Sequence, residues 1–164
     1  MQCGVFNLRM NTSILNSREK KKIYQMIKEQ WGCDFKTDSV MLRSSKDKIY
    51  LVNRDIERVD LELLRVDYMG NYFGTVNDKE IRLSIEGCQI IGPLAQKNVI
   101  EVNYDVMRKW LKGEELSYEE VETKPEDKSY ILIKYNDNYI GCGKAKENII
   151  KSGIPKNRRI LAAD

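Results

Sequence analysis

The 164-residue chain reads as an α+β N-terminal domain, residues 1–92, followed by a small C-terminal β domain, residues 93–164. Three observations carry that reading. A helical period over residues 17–31 precedes a series of short strand-like runs. Gly92-Pro93 interrupts the pattern, because glycine and proline punctuate elements. Beyond it, two apolar runs, residues 130–135 and 139–144, flank Asn136-Asp137-Asn138, residue types that tolerate the backbone angles of a hairpin turn.

Taken in order, Val5, Phe6 and Leu8 could form a short strand. Asn16 with Glu19 three residues on has the form of a capping box, and Ile23, Tyr24, Ile27 and Trp31 follow at helical spacing before Gly32, which predicts a helix over 17–31. Its other face carries Arg18, Lys20, Lys21, Lys22 and Lys28, a solvated surface before it is a phosphate contact. Val40-Met41-Leu42 and Ile49-Tyr50-Leu51-Val52 flank a polar segment and predict a hairpin. A helical turn is expected near 55–59, and strands over 63–69, 72–76 and 81–85, separated by the turn pairs Gly70-Asn71 and Asn77-Asp78. The alternation from Ile81 to Glu86 buries one face of the last strand.

In the second unit, residues 99–102 read as a strand. Asn103 can cap a helix in which Val106 with Trp110 and Met107 with Leu111 are i, i+4 pairs, and Gly113 suits its end. Trp110 is the expected anchor of a second core. Residues 114–127 are expected to form an exposed acidic loop with one short strand at Val121.

Charge and chemistry narrow the function classes. The net charge is only +3, but residues 113–127 hold seven acids against Lys124, a local −6, while residues 144–159 hold six bases against Glu147, a local +5. A polyanion responds to that local field. The chain has no histidine, which removes the commonest general base and the usual activator of a serine or cysteine nucleophile. Its four cysteines, Cys3, Cys33, Cys88 and Cys142, are far apart with no C-x-x-C pair, so no structural metal site is expected and they read as small buried hydrophobes. Gly141-Cys142-Gly143 lacks both the third glycine of a dinucleotide loop and a Walker-type lysine, so its glycines are read as permitting a bend or a close backbone approach. Neither a catalytic residue nor a cofactor is predicted. No apolar run approaches the roughly 20 residues of a membrane span and the first residues lack signal-peptide character, which places the expected home in the cytosol.

The basic segment Lys144, Lys146, Lys151, Lys156, Arg158 and Arg159 is the strongest constellation, with Tyr130, Tyr135 and Tyr139 as candidate stacking faces. The helix end Trp110-Leu111-Lys112-Gly113, the acidic loop, the hairpin over 130–144 and the close Ile154-Pro155-Lys156-Asn157-Arg158-Arg159-Ile160 together resemble a PUA domain, the small pseudo-barrel of RNA-modification enzymes and ribosome-assembly factors. More narrowly, the chain resembles proteins related to the C-terminal RNA-binding region of the Nop/Sun RNA cytosine-C5 methyltransferases, and a two-domain PUA ribosome biogenesis factor.

That resemblance implies an α+β unit packed against a PUA-like β pseudo-barrel. It also implies RNA as partner, tRNA or rRNA, with an RNA-modifying enzyme or ribosome-assembly protein as a further possible partner. The RNA-facing residues it implies are Arg108, Lys109, Lys144, Lys151, Lys156, Arg158 and Arg159. The methylases it resembles use a cysteine in a Pro-Cys motif, whereas Pro93, Pro125 and Pro155 here precede Leu, Glu and Lys. A non-catalytic RNA-binding factor is therefore the leading expectation. A methyltransferase fragment or subunit, and a protein-docking platform, are the alternatives.

Overall fold

The computed structural model describes residues 12–58 and 69–161, in two five-stranded sheets and three α-helices. Thr12–Ile14 (β1) leads into the helix Ser17–Trp31 (α1). Asn16 caps α1 reciprocally: its side chain accepts from the Glu19 N–H at 3.0 Å and its own N–H donates to Glu19 Oε2 at 2.9 Å. Ile23, Ile27 and Trp31 form the buried stripe, and Gly32 ends the helix with φ +69°. Val40–Ser44 (β2) and Lys48–Val52 (β3) make the expected hairpin, and Asn71–Asn77 (β4) and Glu80–Leu83 (β5) extend it into an antiparallel meander ordered β1-β2-β3-β4-β5. A single helical turn, Arg54–Arg58, follows β3. The strand read at Val5, Phe6 and Leu8 lies outside the described residues, as does that over 63–69 except Met69, which is buried and in no strand.

One expectation fails at the end of β5. The alternation that continues through Ile85 in the sequence stops at Ser84, which caps a second helix, Ile85–Ile91 (α2). The Ser84 hydroxyl accepts from the Gly87 N–H at 2.9 Å and lies 3.1 Å from the Phe73 carbonyl, to which it donates, so the chain turns out of the sheet there.

The second sheet is ordered β6-β8-β9-β10-β7, from Val99–Glu101 (β6), Leu116–Ser117 (β7), Tyr130–Tyr135 (β8), Asn138–Lys146 (β9) and Ile149–Ser152 (β10), with Tyr104–Leu111 (α3) between β6 and β7. β6 runs parallel to β8 and the other pairs are antiparallel. Two readings of the sequence are corrected here. Between the hairpin over 130–144 and the close over 154–160 stands a further strand that the sequence reading does not place. Glu147 and Asn148 take φ +54° and +67°, the two positive values of a tight hairpin turn, and return the chain as β10. Val121 is in no strand; Leu116–Ser117 is the strand, and Ser117 then caps a single turn, Tyr118–Glu120, that leaves Val121 buried.

The two sides of this sheet serve different cores. Ile131, Ile133, Ala145 and Ile150 join Trp110, Leu116, Tyr118 and Val121 in one cluster, with Trp110 fully buried as its anchor. Leu132 and Cys142 face the other way, into a cluster made with Ile23, Ile27, Trp31, Phe73, Ile81, Cys88 and Ile91. That cluster draws on residues from both sides of Gly92. The connection is also tied by hydrogen bonds: the Gln96 N–H donates to the Trp31 carbonyl at 2.8 Å, and Asn98 Nδ2 to the Gln30 carbonyl at 2.6 Å.

Candidate nucleic-acid interface

α3 and the closing segment form one surface. Asn103 caps α3, its side chain accepting from the Val106 N–H at 3.0 Å, and Val106 and Trp110 point inward. At the far end the Ile160 N–H donates to the Leu111 carbonyl at 3.0 Å, which seats the turn Lys156–Arg158 against the helix C-terminus. Cations are favoured there, since the last carbonyls of a helix carry its negative end.

Gly113 makes this docking possible. Its φ of +82° is left-handed, and a Cβ on it would lie 2.1 Å from Arg159 Nε and 2.5 Å from Arg159 Cδ. Arg159 thus lies across the glycine, and its Nε donates to the Ile154 carbonyl at 3.2 Å. Gly143 plays the comparable part for Trp110, whose ring would sit 2.6 Å from an added Cβ. The G-x-G of β9 is accordingly a seat for the indole, whose Nε1 also donates to the Ile140 carbonyl at 3.4 Å.

The seven residues implied for RNA contact differ in how far they are committed elsewhere. Lys109 is ion-paired to Glu120. The Glu120 hydrogen bond raises the Lys109 pKa, and the same bond, with the Ser117 N–H, lowers that of Glu120. Lys144 pairs with Glu80 of β5 at 2.7 Å and stands 4.2 Å from the Tyr130 ring centroid. Arg158 pairs with Glu86 of α2. Burial pushes the Glu86 carboxyl upward, but the backbone N–H and the Arg158 guanidinium outweigh it and hold the pKa low. Lys144 and Arg158 therefore bridge the two units. Arg108 lies over the Tyr104 ring, 5.9 Å from its centroid, with Nη1 donating to the Tyr104 hydroxyl at 3.3 Å. Lys151 and Lys156 are exposed and, among the described residues, have neither an ion pair nor a side-chain hydrogen bond.

Of the candidate stacking tyrosines, Tyr130 and Tyr139 pack against the first cluster and Tyr135 against the second. Cys142 is buried beside Cys88, whose thiol is held well above its ordinary pKa by burial first and by Cys142 second. Two residues of the surface escaped the sequence reading, Tyr104 and Lys112. They stand four residues either side of Arg108, a spacing that puts all three on one helix face.

Residues 97–160, the segment just described, match a family model for the methyltransferase RsmF PUA domain. The C-terminal unit is PUA-like. Solved structures extend the likeness to nearly the whole chain. A conserved PUA domain protein from Thermoplasma acidophilum is 14% identical, with a TM-score of 0.61 over 90% of this chain and 97% of that chain. A hypothetical protein from the hyperthermophilic archaeon Pyrococcus horikoshii OT3 is 8% identical, with a TM-score of 0.57 over 85% of this chain and 91% of that one. At these identities the likeness is one of fold: an α+β arrangement that includes a PUA-like β unit. No curated protein sequence matches the chain. Among the described residues, no helix is long and apolar enough to cross a membrane.

Proposed function

We propose that this protein is a non-catalytic RNA-binding factor that recognises structured tRNA or rRNA, acting as an accessory in RNA modification or ribosome biogenesis. The observation that carries the reading is the closing segment of the PUA-like unit: Lys151 and Lys156 stand open to solvent while their basic neighbours Lys144 and Arg158 are held by carboxylates. Free cations on a built scaffold attract phosphate through counterion release. Arg108 joins them, and Arg159 holds the turn in place through Gly113 and the Ile154 carbonyl. Support for a non-catalytic role comes from the absence of histidine and the burial of Cys33, Cys88 and Cys142.

The match to a domain of the methyltransferase RsmF favours one second reading, in which the protein is an RNA-binding subunit that serves a separate methylase.

The test is a titration of a structured RNA at several salt concentrations with the wild type and a Lys151→Ala, Lys156→Ala double variant. Loss of two phosphate contacts is expected to weaken binding and to make the slope of log affinity against log salt shallower by about 1.5. Unchanged affinity and slope would reject the site. Calorimetry with S-adenosylmethionine should give no binding heat; a specific heat would overturn the non-catalytic part.

A further inference from the structure

We infer that the outer face of α1 is a second phosphate-contact surface, on which Arg18, Lys21 and Lys22 take the backbone of double-helical RNA without reading its sequence. This rests on the RNA-binding reading and adds to it a contact that lies outside the PUA-like unit.

α1 is a fixed ridge. Its inner stripe of Ile23, Ile27 and Trp31 is buried in the first core cluster. The Gln30 side chain donates to the Ile81 carbonyl at 3.0 Å and accepts from the Ile81 N–H at 2.7 Å, which ties the helix to β5. Successive helical residues turn by about 100°, so Arg18 stands opposite Ile27, with Lys21 and Lys22 about 60° and 40° to either side of it. All three are exposed and, among the described residues, none has an ion pair or a side-chain hydrogen bond. The other charges of the helix are committed. Glu19 bonds the Asn16 cap, Lys20 Nζ donates to the Ser39 carbonyl at 3.0 Å, Lys28 pairs with Asp34 at 2.8 Å, and Glu29 accepts from Gln25 Nε2 at 2.7 Å.

This placement works against the helix itself. Arg18 precedes Lys21 by three residues and Lys22 by four, spacings at which like charges destabilise a helix. Arg18 also lies in the first turn, where the helix dipole disfavours a cation. Glu19 stands three residues before Lys22 and could offset it, yet its carboxylate is spent on the cap. A polyanion laid along the face relieves both penalties and releases counterions from its phosphates.

The chemistry of the face selects a duplex. It offers no ring to an unpaired base, because Tyr24 packs edge-on to Phe35 with ring centroids 5.9 Å apart and its hydroxyl bonds to the Thr37 carbonyl at 3.4 Å. Cations on a convex ridge without a stacking face suit a phosphate backbone, which positions a protein and carries no sequence information. The Lys22 side of the helix borders a groove whose acids are Glu19, Asp47, which Arg43 holds at 2.7 Å, and Asp78. The backbone therefore runs on the side of Arg18 and Lys21, with Lys22 reaching over from the rim.

The experiment titrates a blunt RNA duplex with the wild type and with an Arg18→Gln, Lys21→Gln, Lys22→Gln variant at several salt concentrations. Glutamine matches arginine and lysine in helix propensity, so the variant changes charge and little else. Three duplex phosphate contacts should make the wild type lose about 40-fold more affinity than the variant between about 50 and 200 mM salt. Without RNA the variant should melt no lower than the wild type at low salt, since like-charge repulsion has been removed. Parallel salt dependences, or a variant that melts lower, would overturn the surface. Polyglutamate binding the wild type more tightly than the duplex does, at matched anionic charge, would overturn the assignment to RNA. A wild type that binds a structured RNA but not the duplex overturns this inference alone, whereas one that binds neither overturns the RNA-binding reading as well.

Discussion

Gly113 shows how one residue couples a motif to a surface. The sequence suggests a helix terminator there, and so it is, but the structure adds that the missing side chain is where Arg159 lies. Gly113→Ala therefore faces two costs. A left-handed φ costs a non-glycine residue about 1–2 kcal/mol, and the new methyl must displace the guanidinium. We expect a fall of at least about 1 kcal/mol in unfolding free energy by chemical denaturation, together with weaker RNA binding because the turn carrying Lys156 shifts. A variant as stable as the wild type would show that Arg159 moves aside at no cost. Lys156 and Arg158 illustrate the limits of reading charge from sequence. Both look like phosphate contacts, and only the fold reveals that Glu86, some 70 residues away in the chain, sits beside one of them.

At the scale of elements, legibility followed local chemistry. α1 and α3 have polar caps, apolar residues at helical spacing and a terminating glycine nearby, so they were readable. α2 was not, because seven residues give barely two turns of periodicity and Gly87 within its first turn argues against a helix. That glycine is required by packing: a Cβ there would lie 2.1 Å from the Phe73 carbonyl. β10 was hidden for a similar reason, since a two-residue turn of Glu147 and Asn148 lacks the glycine that usually marks such hairpins. The acidic segment after α3 reads in the sequence as an exposed loop. Part of it instead braces the helix through Glu120 and Lys109.

This brace has a defined pH dependence. Glu120 titrates below its ordinary value, so its contribution is complete above the ordinary carboxylate range and is lost as pH falls through the depressed value; Lys109 titrates above its ordinary value, so its share is lost only as pH rises through the raised value. Glu120→Gln should lower stability near neutral pH by up to about 1 kcal/mol, the scale of a half-exposed pair. In thermal melts the gap between variant and wild type should close in acid. A gap independent of pH would assign the effect to the Ser117 cap instead.

For the whole molecule, the decisive feature is the cluster in which Leu132 and Cys142 meet Trp31, Phe73 and Cys88. Gly92-Pro93 is visible in the sequence as a break, but which side chains face across it depends on long-range pairing that no local pattern encodes. With Lys144–Glu80 and Arg158–Glu86 also spanning the junction, the chain should unfold in a single cooperative transition by calorimetry and far-ultraviolet dichroism alike. Two separated transitions would show that each unit stands on its own core.

The parallel pairing of β6 with β8 bears on the order of assembly. Residues 99–101 find their partner only after residues 132–134 are available, and β7 waits for β10, which lies about as far again along the chain. Local pairing of β8, β9 and β10 through tight turns has no such delay. A growing chain would therefore raise the hairpins first, then recruit β6 and β7 to their flanks. The helix bearing Tyr104 and Arg108 would receive its neighbouring basic turn last, when Ile160 reaches Leu111. Competence to engage RNA would then arrive late, after the unit that presents it has already taken shape.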